Sequence, residues 1–263
     1  MLCAYCGSQS APSRDHVWPK CFLEKVGRRR YAHYSPKSGK VHGADYVVKD
    51  VCANCNNVKL SVLDSYFCDD YERYFRIPRD ADSVVEFQYD FDLLLRALLK
   101  IAYNTARSAG SEAQPLARLA RYVLDGGRTP EGVALVAELV SPTYLPDRSH
   151  PSAPPKKVLP TMYRSMRAEL STKHGANIAV RVVAVGSFFF HLLISRDPND
   201  LETFQRAVDE FLSGLDGTVR LTAEATVAVL HSTRRDSLSS MIPLLAAKRI
   251  QYRKFFDGRR TKK

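Results

Sequence analysis

Apolar positions along the chain change their period twice. In the segment 84–92, VVEFQYDFD, apolar and polar residues alternate, the pattern of a strand with one face turned to an interior. A helical period follows in DLLLRALLKIAYNTAR, where Leu94, Leu95, Leu98, Ile101 and Ala102 share one face. Arg96, Lys100 and Asn104 fall largely opposite, on the face expected to meet water, and Asp92 has the type and place of an N-cap. A second short helix is expected in PLARLARYVLDGG, with Pro115 in its first turn and Gly126 and Gly127 at its end. The stretch 141–160 holds six prolines among polar and basic residues and reads as a long loop. Beyond it, ANIAVRVVAVGSFFFHLLISR contains two β-rich runs flanking Gly186 and Ser187, a hairpin signal. A helix over 198–212 and a strand over 219–230 complete an α+β region with a small antiparallel sheet.

Cysteine placement separates the N-terminal part from this region. Cys3, Cys6, Cys21, Cys52, Cys55 and Cys68 all fall in the first 70 residues. The expected organisation is therefore a module over 1–90 and an α+β accessory domain over 91–263. No apolar run approaches the roughly 18 to 20 residues of a membrane span, and MLCAYCGSQS lacks the basic-then-apolar order of a secretory signal. A cytoplasmic, membrane-free protein is the expectation. In a reducing compartment, paired CxxC spacings point to metal thiolates in preference to disulfides. The pairs Cys3–Cys6 and Cys52–Cys55 can offer four sulfurs to one structural Zn²⁺. Cys21 and Cys68 read as small buried residues. The formal charge of +11, from 39 Lys+Arg against 28 Asp+Glu, favours polyanionic partners, with nucleic acid first and DNA favoured.

Between the two cysteine pairs lies Arg14-Asp15-His16-Val17-Trp18-Pro19-Lys20, and directly on the second lies Cys55-Asn56-Asn57-Val58-Lys59, with Ser61-Val62-Leu63-Asp64 beyond. In this order of CxxCG, Asp-His-Val-x-Pro-Lys and CxxCN, residues 3–64 resemble the HNH endonuclease superfamily. The resemblance implies a zinc-stapled, treble-clef-like ββα-metal fold that hydrolyses phosphodiester bonds. It casts His16 as general base, and Asp15 and Asn56 as ligands of a catalytic Mg²⁺ or Mn²⁺. Neutral imidazole is available near cellular pH, and hard oxygen donors suit those cations. Adjacent strand residues point to opposite sides, so Asp15 and His16 can share a site only if the strand is locally distorted. The family also carries an asparagine on the second strand that orients the histidine. No asparagine lies between Val17 and Ala53, which leaves Asp45, His42 or the backbone itself to orient the histidine.

Lys59, one helical turn past Asn56, is a candidate phosphate contact, and so are Arg28, Arg29 and Arg30, interleaved with Tyr31 and Tyr34. The basic tail from Lys248 suits backbone binding. His191, set in FFFHLLIS, reads as a packed core histidine. Two function classes follow. One is a metal-dependent endonuclease, with the effector of a phage-defence or restriction-type system as the family's analogy, whose C-terminal domain dimerises or meets a regulatory partner. The other is a non-catalytic, zinc-dependent nucleic-acid-binding protein, which in one form uses His16 with three cysteines as zinc ligands.

Overall fold

The computed structural model describes residues 1–263 apart from 27–32, 36–39, 43–45, 111, 147–149, 151, 161–162, 171 and 237–263. The expected Arg28, Arg29, Arg30 and Asp45 roles and the basic tail lie outside the described residues. In chain order the first elements are β1 (Pro12–His16), α1 (Lys20–Val26), the small hairpin β2 (His33–Ser35) and β3 (Lys40–His42), and β4 (Val47–Cys52). β4 pairs antiparallel with β1. It leads into a continuous helical segment: a π-helical turn at Cys55–Leu60, α2 (Ser61–Asp70), and a second π-helical turn at Tyr71–Phe75. Trp18 and Phe22 pack edge to face against Phe67 and tilted against each other where α1 crosses this segment, with ring centroids 5.4 to 5.9 Å apart. Cys21 and Cys68 join α1 to α2 in a disulfide, their Cα atoms 6.3 Å apart. This corrects the reading of Cys21 and Cys68 as simply small buried residues. Cys68 is buried as expected and Cys21 is half-buried, and the packing of the two helices sets their sulfurs face to face.

β5 (Val84–Gln88) is shorter than the alternating segment, because the chain turns at Tyr89 and enters α3 (Phe91–Ala109). The N-cap of α3 is Asp90, whose side chain accepts from the Leu93 N–H at 3.0 Å. Asp92, the expected cap, lies inside the first turn and pairs with Arg96. The second predicted helix breaks into α4 (Gln114–Ala117) and α5 (Ala120–Asp125). Then come β6 (Val133–Ser141), the short pair β7 (Thr143–Leu145) and β8 (Lys156–Val158) within the proline-rich loop, and β9 (Tyr163–Ala168). β10 (Ile178–Val185) and β11 (Phe188–Ser195) form the hairpin across Gly186 and Ser187. α6 (Leu201–Ser213), capped by Asp200, precedes β12 (Val219–Leu221) and β13 (Val227–Asp236), where a single strand was expected.

The fold class is mixed α+β. Its sheet is larger than expected, seven strands in the order β5-β13-β6-β11-β10-β9 with β12 also on β6, antiparallel except where β13 runs parallel to β6. Both faces of the central strands are covered. Leu135, Ala137, Phe188, Phe190 and Leu192 face α3 and the N-terminal segment, while Ala134, Val136, Phe189 and Leu193 face Phe204, Val208 and Phe211 of α6. That double burial explains why these strands read as unbroken apolar runs. His191 is buried on the α6 side, 3.0 Å from Glu138. One apolar interior runs from Cys3 to Leu230 without a break at residue 90. α3 is covered on more than its apolar stripe: Lys100 and Asn104, expected to meet water, are 1% and 0% exposed. The N-terminal segment packs on that face. No helix among the described residues is long and apolar enough to cross a membrane.

Candidate functional site

Cys3 and Cys6 sit on a tight N-terminal turn closed by the Gly7 N–H donating to the Cys3 carbonyl at 2.9 Å. Gly7 takes the left-handed conformation there, at φ +72°. Cys52 ends β4 and Cys55 opens the helical segment, and the Ala4 N–H bonds the Asp50 carbonyl at 2.8 Å, pinning turn to strand. All four sulfurs lie within 4.8 Å of one another. The Cys6 and Cys52 sulfurs are 3.8 Å apart, the edge of a tetrahedron with metal–sulfur bonds of about 2.3 Å. Backbone N–H groups of Cys52 and Cys55 donate at 3.4 Å to the sulfurs of Cys3 and Cys52. Hydrogen bonds from Ser8 bring the Cys6 thiol down to about 6, while burial pushes Cys55 up. The tetrad could hold a metal ion such as zinc, and four sulfurs around one ion leave no open position for chemistry.

A few residues away, β1 is irregular: its register against β4 shifts between Ser13 and Asp15. The bulge turns Asp15 inward, to 1% exposure, and leaves His16 half-buried. Asp15 Oδ1 lies 3.2 Å from Lys100 Nζ, and Asp15 Oδ2 accepts from Asn104 Nδ2 at 2.7 Å. Lys100 also reaches Asp64 Oδ1 at 2.5 Å. Burial draws the Lys100 pKa down, but the carboxylates of Asp64 and Asp15 outweigh it, and Lys100 is held above its ordinary value as a buried cation. Asn104 Nδ2 makes a second, longer bond of 3.4 Å to the His16 carbonyl. Its Oδ1 accepts from the Tyr5 hydroxyl at 2.8 Å and from Arg107 at 2.5 Å.

Asn56, second residue of the helical segment, lies against the same strand. Its Nδ2 donates to Ser13 Oγ at 3.1 Å and to the Arg14 carbonyl at 3.2 Å, which leaves Oδ1 as its spare donor atom for a cation. Asn56 thus meets β1 at Ser13 and Arg14, the two residues that precede Asp15 and His16 in the strand. Lys59 lies one turn on and pairs with Asp125 of α5 at 2.6 Å, so a phosphate would have to compete for it. His42 falls in β3, its side chain outside the described set. A catalytic dication of the kind the resemblance implies does not fit through Asp15, because both carboxylate oxygens are engaged, one of them by a buried ammonium that would repel it.

Lys100, Asn104, Tyr5 and Asp64 are the neighbours the sequence pattern passed over. Their one advance signal was spacing: Lys100 and Asn104 are four apart on a helix, with Arg107 three further on, so all three lie along one stripe. No protein-family model matches the chain, and no curated protein or solved structure matches it either.

Proposed function

We propose that the chain is an endonuclease of the HNH type, hydrolysing phosphodiester bonds of nucleic acid, DNA by preference, with His16 as general base. One observation carries this reading. An Asp-His pair sits on a bulged strand, and the antiparallel partner of that strand runs through the second cysteine pair into a helical segment whose second residue is Asn56. Zinc in the tetrad would staple the two ends of this unit. His16, half-buried beside the bulge, is open enough to take a proton from a water aimed at a phosphate. The formal charge of +11 supports an anionic substrate. Mg²⁺ or Mn²⁺ would supply charge neutralisation at the phosphate, and Asn56 has an oxygen to offer it.

The test is nicking of supercoiled plasmid by purified protein with Mg²⁺ or Mn²⁺, alongside His16→Ala. Nicking by the wild type that falls by about a hundredfold or more in the variant supports general-base catalysis. Equal nicking by both proteins refutes it. A second reading has its own support: Asp15 is engaged by Lys100 and Asn104, as expected if the unit only grips nucleic acid. Equal DNA binding by both proteins without cutting by either selects that reading.

A further inference from the structure

We propose that Asp15 is a positioning residue for His16, held by Asn104 of α3, and that it does not ligate a catalytic cation. What His16 does rests on the nuclease reading, while the placement of Asp15 rests on geometry alone. Asp15 is 1% exposed, and each of its oxygens has a partner that is itself fully buried. A dication at that carboxylate would sit against the Lys100 ammonium and be repelled by it. Lys100 is the buried cation there, shared between Asp64 at 2.5 Å and Asp15 at 3.2 Å, and it stands on the side of Asp15 where a dication would have to come.

Asn104 is suited to fixing direction. Its two amide hydrogens go to acceptors on adjacent residues, the Asp15 carboxylate and the His16 carbonyl, so one side chain fastens the bulge at two points. Its oxygen receives two donors, and the amide cannot turn over without setting oxygen against the Asp15 carboxylate. One of those donors is the Tyr5 hydroxyl, at 2.8 Å and itself buried. Arg107 stacks over Tyr103 at 4.5 Å and cannot easily withdraw. α3 therefore sets the angle at which His16 leaves the strand, from a part of the chain that carries none of the motif.

The experiment compares wild type, Asp15→Asn and Asn104→Ala in plasmid nicking across a range of Mg²⁺ concentrations. Asp15→Asn keeps an oxygen for Asn104 but removes the charge a cation would need. The expected result is that Asp15→Asn leaves half-saturating Mg²⁺ within about threefold of wild type, while Asn104→Ala lowers kcat by about tenfold or more at unchanged half-saturation. A rise of about tenfold or more in half-saturating Mg²⁺ for Asp15→Asn overturns the proposal, as does wild-type kcat in Asn104→Ala. A second measurement needs neither a variant nor cleavage: the side-chain amide resonances of Asn104 in ¹⁵N-labelled wild type, followed through a MgCl₂ titration. Unmoved resonances support the proposal and a saturable shift refutes it. Absence of nicking by the wild type would count against the nuclease reading alone and leave this second measurement decisive for Asp15.

Discussion

Replacing Lys100 with methionine isolates the electrostatic part of the α3 contact, because methionine fills nearly the same volume and leaves no large cavity. The ammonium lies 2.5 Å from Asp64 and 3.2 Å from Asp15, with Lys100 and Asp15 side chains each 1% exposed. At an effective dielectric near 20, the attraction over such distances is on the order of 5 kcal/mol per pair. Much of it offsets the several kcal/mol needed to bury the ammonium, yet the variant recovers little of that cost, because the carboxylates stay buried without their partner. Removing one member of a buried ion pair typically costs about 3 to 5 kcal/mol. At about 2 to 4 °C per kcal/mol for a chain of this size, Lys100→Met should lower Tm by roughly 6 to 20 °C. Differential scanning fluorimetry at neutral pH reads this directly. The companion variant carries Lys100→Met with Asp15→Asn and Asp64→Asn, which removes the whole charged set. It should recover most of the loss, since neutral replacements of an entire buried ionic group are often close to neutral in stability. A Tm for Lys100→Met within about 2 °C of wild type, or a triple variant as unstable as the single one, would show that the buried cation does not hold Asp15 and Asp64 together.

Three further outcomes are expected. Elemental analysis should find about one equivalent of zinc per chain, absent from Cys52→Ser, and the metal should leave as pH falls, because Cys6, lowered to about 6, must give up its thiolate to a proton. Burial raises Asp70 to about 7, so the fold favours its protonated form: the stability this group contributes is fully present below about 4 and lost as pH rises through about 7. Asp70→Asn should thus melt above wild type at pH 8, by an amount on the order of 2 to 4 kcal/mol, and the gap should close on acidification toward pH 4; a constant gap between scans at the two pH values would contradict this. Gly186→Ala should destabilise by about 1 to 3 kcal/mol in chemical denaturation, because Gly186 has φ +57° and an added Cβ would lie 2.6 Å from the Phe75 carbonyl oxygen.

Local signals carried a good share of the fold. The β10–β11 hairpin was readable because glycine punctuates two apolar runs, and α6 was readable because an acid caps an amphipathic period. The two CxxC pairs converge because each is short-range and metal-like in its own spacing. What local patterns missed depends on partners distant in sequence. The N-cap of α3 moved from Asp92 to Asp90 because Phe91 already lies within the helix. Cys21 and Cys68, 47 residues apart, meet only because α1 and α2 pack together. Seven strands assemble where a small sheet was expected, since β5 and β13, far apart in the chain, extend the hairpin's sheet through β6.

The candidate site divides in the same way. Asp15, His16 and Asn56 were legible because the chemistry they suggest is written in contiguous motifs. Lys100 and Asn104 were not, because a polar stripe on an amphipathic helix looks the same whether it meets water or a second layer of protein. A buried charge survives only when paired, and the carboxylates that pair with Lys100 lie across the site, in β1 and α2. Neither residue therefore has meaning until the N-terminal segment is packed on α3. The dependence also runs the other way: without α3, Asp15 would lose both partners that hold it and the bulge would lose the amide that fastens it. The geometry at His16 is accordingly a property of the whole interior, in which a helix outside the motif supplies the constraint and the motif supplies the group being constrained.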